Sequence, residues 1–170
     1  MGLHQGRNYA VRMLFASCWL LVALLSVCRI ASADLGFDWL SVQADATGSI
    51  FSPNDSALPY QSTAEAARTL QIIEPGSALI GPAIVSLQQQ DYPSTEFLAR
   101  RILVLAVASQ PIESEIDLLL SHENADGGFG ELVGHDSTAF DSAWALLALT
   151  GAGRLQDVRI PTLIGYLTDT

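Results

Sequence analysis

Four acidic residues and one histidine lie close together in and after a glycine-rich segment. Side chains of these types can bind metal ions or transfer protons. Asp126, Glu131, His135, Asp136 and Asp141 lie within one short stretch. Oxygen-rich loops hold hard cations such as Ca²⁺, so Asp126, Glu131 and Asp136 form a candidate cation site. The alternating ligand spacing of a dedicated calcium loop is absent. The competing interpretation is that Asp126 shapes a turn, Asp136 caps a helix and Glu131 is solvated. We favour it, and predict no metal and no cofactor.

The same stretch offers little for acid–base catalysis. Asp136 and Asp141 are five positions apart and would face different directions on a helix, so they are unsuited to work as a pair. His122 lies at the end of a predicted helix, where a cation suits the helix dipole. We interpret His122 as a helix-terminal residue rather than a ligand, and we predict no catalytic residue.

A turn and a capped helix must position these side chains. Asp126-Gly127-Gly128 is a turn signal, since glycine adopts positive φ without a Cβ clash. Asp136-Ser137-Thr138 offers oxygen acceptors to the free N–H groups of a helix start, and Thr138 and Asp141 have capping-box spacing. The residues that we assign to a structural repeat unit are Gly127, Gly128, Phe129, Asp136, Ser137, Thr138 and Trp144.

The helix after this cap carries an apolar stripe. Phe140, Ala143, Trp144 and Leu147 recur at i, i+3, i+4 and i+7, so they share one helix face. We predict that Phe140 and Trp144 are buried in the core. The alternative is that they line a cavity, where aromatic rings attract cations.

Helical spacing recurs along the rest of the chain, and strand alternation does not. The pattern predicts helices over residues 35–43, 62–73, 78–90, 95–108, 111–122 and 138–149, and one more that begins at residue 159. Ser62 and Glu65 have capping-box spacing, and Ser94-Thr95 and Ser137-Thr138 offer similar caps. Arg101 stands in an otherwise apolar helix, so we expect it to pair with an acid or to extend its guanidinium to solvent.

These segments overlay as a repeat of helix, turn, loop and capped helix. Residues 40–45 parallel residues 120–126 when one inserted residue is allowed. The serine–threonine caps recur at irregular separations, within the range of helical repeat arrays. One such unit cannot bury its apolar face alone and needs neighbours on both sides.

The residues of the best-defined unit carry a family resemblance. The segment L-x-x-x-x-N-A-D-G-G-F-G at residues 119–130, followed by D-S-T-A-F-D-S-A-W-A-L-L-A-L at residues 136–149, resembles the repeat of the prenyltransferase and squalene-cyclase superfamily. The resemblance is moderate over residues 35–73 and weak between the two. It implies an α/α toroid, with inner and outer rings of helices around a cavity. The expected fold class is therefore all-α, a partial α/α toroid of about three helical hairpins.

The catalytic signatures of that superfamily are missing from this sequence. Residues 34–170 contain no cysteine for a zinc site or a thioester, and the chain has no Asp-x-Asp-Asp acid motif. The resemblance therefore implies a scaffold without implying an activity.

Residues 1–33 have the pattern of a secretory signal peptide. Arg7 and Arg12 precede an apolar run, and the small residues Ala31-Ser32-Ala33 form a cleavage site. One alternative is an uncleaved anchor, but the run is shorter than the roughly 20 residues that span a bilayer. The other is a lipoprotein signal at Leu25-Ser26-Val27-Cys28, but Val27 is bulky where a small residue is expected. Cys18 and Cys28 both lie in this segment, so residues 34–170 hold no disulfide. We predict export to the periplasm or the cell exterior.

The charge balance narrows the possible partners. All 18 acids lie outside the predicted signal peptide, which contains Arg7, Arg12 and Arg29, so cleavage makes the chain more acidic than its net −10. Such a surface repels nucleic acid and anionic lipid. The absence of lysine excludes Schiff-base and P-loop chemistry.

Two functional hypotheses follow. The first is an exported, non-catalytic repeat domain that binds a protein partner or a small apolar ligand. It would not bind a membrane after cleavage, and its open repeat edges could self-associate. The second is a fragment of a terpene-cyclase-like or prenyltransferase-like enzyme whose catalytic residues lie in other repeats.

Overall fold

The computed structural model describes residues 35–52 and 56–169. Every regular element within these ranges is an α-helix, and β-type pairing there is limited to isolated bridges, which confirms the all-α class. The chain divides into two compact units, residues 1–42 and 43–170. The described part of the first unit belongs to helix α1, residues 35–43, where a helix is predicted. The predicted signal peptide lies outside the described residues.

The described part of the second unit contains six further helices. They are α2 (Pro59–Ile73), α3 (Ile80–Gln89), α4 (Thr95–Val107), α5 (Glu113–Leu120), α6 (Ala139–Gly151) and α7 (Arg159–Asp169). Each overlaps a predicted helix, with its ends shifted by a few residues. Across the described ranges, no helix is both long enough and apolar enough to cross a membrane.

Helices α2, α4 and α6 pack side by side in chain order, and α3, α5 and α7 each pack against the helix before them. Near the helix starts, the Tyr60 hydroxyl donates to the Phe97 carbonyl at 3.0 Å. Near the helix ends, the Gln71 amide donates to the Val104 carbonyl at 2.9 Å. The first turns of α2 and α4 therefore lie side by side, as do their last turns, so the two helices are parallel.

Helix α6 continues this layer in the same direction. The Arg100 guanidinium of α4 lies over the Trp144 ring of α6, 4.3 Å from its centroid. Closer to the helix ends, Leu103 lies so near Gly151 that a Cβ at this glycine would overlap it. The order of these contacts along both helices shows that α4 and α6 are also parallel.

The start of α2 differs from the prediction. Ser62 was expected to be the N-cap, with Glu65 completing a capping box, but the helix begins at Pro59 and its N-cap is Leu58. Proline suits the first helical position because it has no N–H to satisfy there. The Gln61 side chain accepts a hydrogen bond from the Leu58 N–H at 3.1 Å. Proline and glutamine thus perform the role that the serine–glutamate pair was expected to perform.

The other helix starts match the prediction in part. Thr138 is the N-cap of α6: its hydroxyl oxygen accepts from the Asp141 N–H at 3.0 Å, and its hydroxyl donates to the Asp141 carboxylate at 2.6 Å. Ser94 is the N-cap of α4, but its side chain makes no capping hydrogen bond. Helix α5 begins at Glu113 rather than at Pro111.

Two glycine turns precede α2 and α6 and are built alike; we call residues 43–51 the first hairpin and residues 122–130 the second. The backbone hydrogen bonds common to both are Asp45 N–H to Ser49 O, Gly48 N–H to Asp45 O and Phe51 N–H to Gln43 O in the first, and Asn124 N–H to Gly128 O, Gly127 N–H to Asn124 O and Gly130 N–H to His122 O in the second. The separation between matching residues is constant, so the predicted inserted residue is wrong. Asp45 corresponds to Asn124 rather than to Asp126.

The match continues from each hairpin into the helix that follows it. The Ile50 N–H donates to the Thr63 hydroxyl of α2, and the Phe129 N–H donates to the Ser142 hydroxyl of α6, both at 2.9 Å. Ile50 and Phe129 are buried. Each hairpin is therefore fixed to its helix by one buried side-chain acceptor at an equivalent position.

Helices α2, α4 and α6 also share a pattern of burial at matching positions. One side of all three is buried at Thr63, Leu70, Leu98, Leu105, Ser142 and Leu149. The main core cluster joins α4 and α6 to α5, α7 and the second hairpin. These core contacts fix the orientation of α2, α4 and α6. The candidate site lies on another, more exposed side of the same three helices.

Candidate binding face on the parallel helices

One side of α2, α4 and α6 keeps much of its surface exposed, and we call it the open face. Its residues, all at least partly exposed except the buried Leu103, are Gln61, Glu65, Arg68 and Ile72 of α2, Glu96, Arg100, Leu103 and Val107 of α4, and Phe140, Trp144, Leu147 and Gly151 of α6. Ile72, Val107 and Phe140 are 80%, 63% and 59% exposed. These residues recur every three or four positions, so each helix contributes one stripe to a continuous surface.

Arg100 holds the centre of the open face. Its guanidinium forms ion pairs with Glu65 of α2 and with Glu96 one turn earlier, the latter at 2.8 Å. The same guanidinium lies over the Trp144 ring of α6. The side chains of Arg100 and Glu96 are only 13% and 17% exposed, so these contacts are partly shielded from water. Arg100 thereby connects all three parallel helices.

Phe140 and Trp144 form the aromatic part of the open face. Their ring centroids are 6.4 Å apart, and the rings meet edge to face at 74°. Trp144 is partly buried and packs against the core with one side, while Phe140 is exposed. Leu147, 43% exposed, extends the apolar surface along the same helix.

The prediction that Phe140 is buried in the core is therefore wrong, whereas the same prediction for Trp144 is confirmed in part. Periodicity shows which residues share a face, but it does not show which face is buried. Helix α6 is apolar around most of its circumference, and its buried residues include Ala145, Ala148 and Leu149. The small side chains of Ala145 and Ala148 let α6 approach its neighbours closely, and the exposed Phe140 ring remains on another side of the helix.

Polarity changes across the open face. The stripe on α2 is mostly polar, with Gln61, Glu65 and Arg68, and the stripe on α6 is aromatic and aliphatic. Ile72 and Val107 make the ends of α2 and α4 apolar as well. The open face thus offers an exposed apolar area beside a charge cluster whose members already pair with one another.

The acidic cluster lies in a separate place, above the start of α6. Its pocket is open, with a volume of about 430 Å³, and is lined by Glu131, Gly134, His135, Asp136, Thr138 and Asp141. His135 Nδ1 lies 3.9 Å from a carboxylate oxygen of Glu131. Among the described residues, no three His, Cys, Asp or Glu side chains are placed so that they could hold a metal ion.

Asp126, the first residue of the predicted cation site, does not line that pocket. Its carboxylate accepts hydrogen bonds from the Ser137 hydroxyl at 2.7 Å and from the Gly128 N–H at 3.0 Å. The Ser137 hydrogen bond is the main cause that lowers the pKa of Asp126. The structure thus brings Glu131 and Asp136 together and uses Asp126 to shape the turn.

His122 is buried rather than displayed at a helix end. Helix α5 ends at Leu120, and the His122 side chain is 2% exposed. The Thr95 hydroxyl donates to the Gly130 carbonyl at 2.6 Å, so it accepts from His122 Nδ1 at 2.8 Å, which places the proton on Nδ1. Burial lowers the pKa of His122 and favours its neutral form. The predicted role as a cation at the helix dipole is therefore wrong.

The sequence interpretation singled out Arg101 and missed Arg100. The expectation that Arg101 pairs with an acid is confirmed, because its Nε lies 3.8 Å from Glu115. Arg101 also donates to the Gln90 carbonyl at 3.1 Å. Glu96 and Arg100 are spaced i and i+4, which is the signal for an ion pair on a helix surface. The contact of Arg100 with Trp144 has no such local signal because it joins two helices.

Comparisons with known proteins do not name a family for this arrangement. No protein-family model matches the sequence, and no curated protein matches it.

Proposed function

We propose that this chain is a non-catalytic repeat domain whose open face binds an apolar ligand, either a small molecule or the apolar side chains of a protein partner. The observation that carries the proposal is the exposed Phe140 ring beside Trp144, with Arg100 on the tryptophan face. Tryptophan and arginine are enriched among the residues that dominate binding energy. Exposed aromatic surface also releases water when a ligand covers it.

The proposed scaffold is a part of an α/α toroid. The parallel α2, α4 and α6 would form its inner layer, and α3, α5 and α7 its outer layer. The sequential packing of these helices supports this arrangement. In such a scaffold the open face would lie on the concave side, where repeat proteins present binding surfaces.

Export is part of the same proposal, with cleavage after Ala33. The basic residues Arg7 and Arg12, the apolar run after them and the motif at Ala31-Ser32-Ala33 support it. Expression in a host with a general secretory pathway, followed by intact-mass measurement of the exported product, tests this step. A product that retains residues 1–33 would contradict it.

Binding to the open face is tested with the neutral apolar dye Nile red. Its fluorescence rises when it enters an apolar site, and we expect a saturable rise with the wild-type chain. Phe140→Ala removes the most exposed aromatic ring of the face and is expected to weaken dye binding at least about fivefold, a loss near 1 kcal/mol.

A matched control separates the open face from apolar surface in general. Val158→Ala removes an exposed apolar side chain, 84% accessible, that lies outside the open face. We expect this variant to bind the dye like the wild type. Equal losses in both variants, or no saturable binding by the wild type, would contradict a site on the open face.

A further inference from the structure

We propose that copies of this chain associate head to tail, with the uncovered edge of α6 in one copy packed against the uncovered edge of α2 in the next. The α6 edge consists of the exposed Ala139 and Ala143 and the partly buried Leu146 and Thr150. The α2 edge contains Ala66, Thr69 and Ile73. Both edges are distinct from the open face, so this proposal goes beyond the proposed ligand binding.

Each of the parallel helices α2 and α4 packs one side against the next helix of the layer. On α2 this side holds Tyr60 and Gln71, which donate hydrogen bonds to α4, with Ala64 between them. The matching residue of Ala64 on α4 is Ala99, and both are fully buried. On α6 the matching residue is Ala143, and it is exposed. The surface that receives a helix on α2 and α4 is therefore exposed on α6 at Ala143, where no described residue covers it.

Helices α4 and α6 each pack another side against the preceding helix of the layer. On α4 it includes Val104, and on α6 it includes Ala145 and Ala148, all fully buried. The matching side of α2 is accessible: Thr69 is exposed, and Ile73 is 55% exposed. The surface that packs against the preceding helix on α4 and α6 is therefore exposed on α2 at Thr69 and Ile73, where no described residue of the second unit covers it.

The two uncovered edges are complementary by the rule that already governs the α2–α4 and α4–α6 packing. The α6 edge matches the surfaces of α2 and α4 that pack against the next helix. The α2 edge matches the surfaces of α4 and α6 that pack against the preceding helix. One molecule carries both, so a second copy is the partner that fits both at once. Small residues on each edge permit close approach, and the exposed Ile73 supplies apolar area.

This contact joins two different surfaces, so it is heterologous. Such contacts close into rings when the rotation between copies permits and otherwise extend into filaments. Either assembly would continue the parallel layer from α6 of one copy to α2 of the next.

The test is sedimentation-velocity ultracentrifugation of the full chain over a concentration series up to about 100 μM. That range detects dissociation constants in the micromolar range, typical of modest interfaces. We expect the wild type to associate. Ala143→Arg and Thr69→Arg each place a charge on one exposed edge, and each variant alone is expected to remain monomeric.

Mixing the two variants distinguishes the proposed contact from symmetric alternatives. Ala143→Arg keeps an intact α2 edge, and Thr69→Arg keeps an intact α6 edge, so their equimolar mixture is expected to regain association. Regained association also shows that both variants are folded. If α6 edges paired with each other, Thr69→Arg would associate alone, and that result would overturn the head-to-tail contact.

The control is Ala125→Arg, which adds the same charge at an exposed position in the second hairpin. It is expected to associate like the wild type. A monomeric wild type at every concentration would overturn the proposal, as would a mixture that stays monomeric although both variants give helical circular-dichroism spectra. Neither result would affect dye binding to the open face, so the two proposals fail separately.

Discussion

The first and second hairpins reach the same backbone with different side chains. In the first, the Asp45 carboxylate accepts from the Thr47 N–H, the Thr47 hydroxyl and the Ser49 N–H. The second has Asn124 at the matching position, and its side-chain amide donates to the His135 carbonyl and the Ser137 hydroxyl. The carboxylate of the second hairpin comes instead from Asp126.

The features common to both hairpins are a positive-φ glycine, a buried apolar residue and a hydroxyl from the following helix. Gly48 and Gly127 have φ of 86° and 80°. Each glycine touches the first turn of the helix after next: Gly48 meets Pro82 of α3, and Gly127 meets Thr162 of α7. The carboxylate occupies different positions in the two turns, whereas the glycine occupies the same position. The glycine position is fixed because the close approach of two segments depends on its missing side chain.

The largest expected effect comes from adding a Cβ at these glycines. At Gly48 the new atom would overlap the Pro82 backbone carbonyl, and at Gly127 it would overlap the Thr162 methyl group. Backbone yields less than a side chain, so we expect Gly48→Ala to cost about 2–4 kcal/mol and Gly127→Ala about 1–3 kcal/mol. Urea unfolding followed by circular dichroism measures both.

Two further variants separate steric overlap from backbone strain. Gly134 has φ of 81° with open space around it, so Gly134→Ala reports the strain of positive φ alone. Thr162→Ser removes the overlapping methyl and should recover part of the stability lost in Gly127→Ala. Equal costs at Gly48, Gly127 and Gly134 would show that the approach of α3 and α7 to the hairpins contributes nothing.

The next effect concerns the hydroxyl that anchors each hairpin. Thr63→Val and Ser142→Ala keep the side-chain size close to the original and remove the acceptor for the Ile50 and Phe129 N–H groups. A buried N–H left without a partner costs about 1–3 kcal/mol. We expect similar losses at the two sites by urea unfolding, since the geometry is the same. A loss at one site only would contradict their equivalence.

The comparison also shows which features of the fold could be predicted from sequence. Helix periodicity, the turn at Gly127 and the Thr138 cap were predictable because each depends on residues close together in the chain. The register between hairpins was not, because Asp45 resembles Asp126 in type while its structural counterpart is Asn124. The start of α2 was also mispredicted. Ser62 and Glu65 have capping-box spacing, but the helix already begins at Pro59, with Leu58 as its N-cap.

The candidate site was harder to predict than the fold. Phe140 and Trp144 were identified as sharing a face, but the direction of that face depends on which neighbours cover α6. The ion pair between Arg100 and Glu65 joins different helices and has no local spacing rule. Residues on an amphipathic stripe can be grouped from sequence, whereas contacts between helices require the packing itself.

The smallest expected effect is a difference in pH dependence between the hairpins. The first hairpin has Gln43 where the second has His122. Burial lowers the pKa of His122, while Asp141 and His135 act on it in opposite directions. The unfolded chain therefore binds a proton at this residue near pH 6.5, and the folded chain binds it only at lower pH. Stability from neutral His122 is present above pH 6.5 and falls as the pH drops.

His122→Gln gives the second hairpin the side chain of the first and sharpens this comparison. The glutamine amide can still donate to the Thr95 hydroxyl, so we expect a folded protein whose stability changes less between pH 7.5 and pH 5 than that of the wild type. Urea midpoints at both pH values provide the measurement. His135→Gln, at an exposed histidine that makes the smallest contribution to the lowered pKa of His122, serves as the comparison and should keep more of the wild-type dependence than His122→Gln does. If His122→Gln kept it too, proton binding at His122 would not limit the acid stability of the second hairpin.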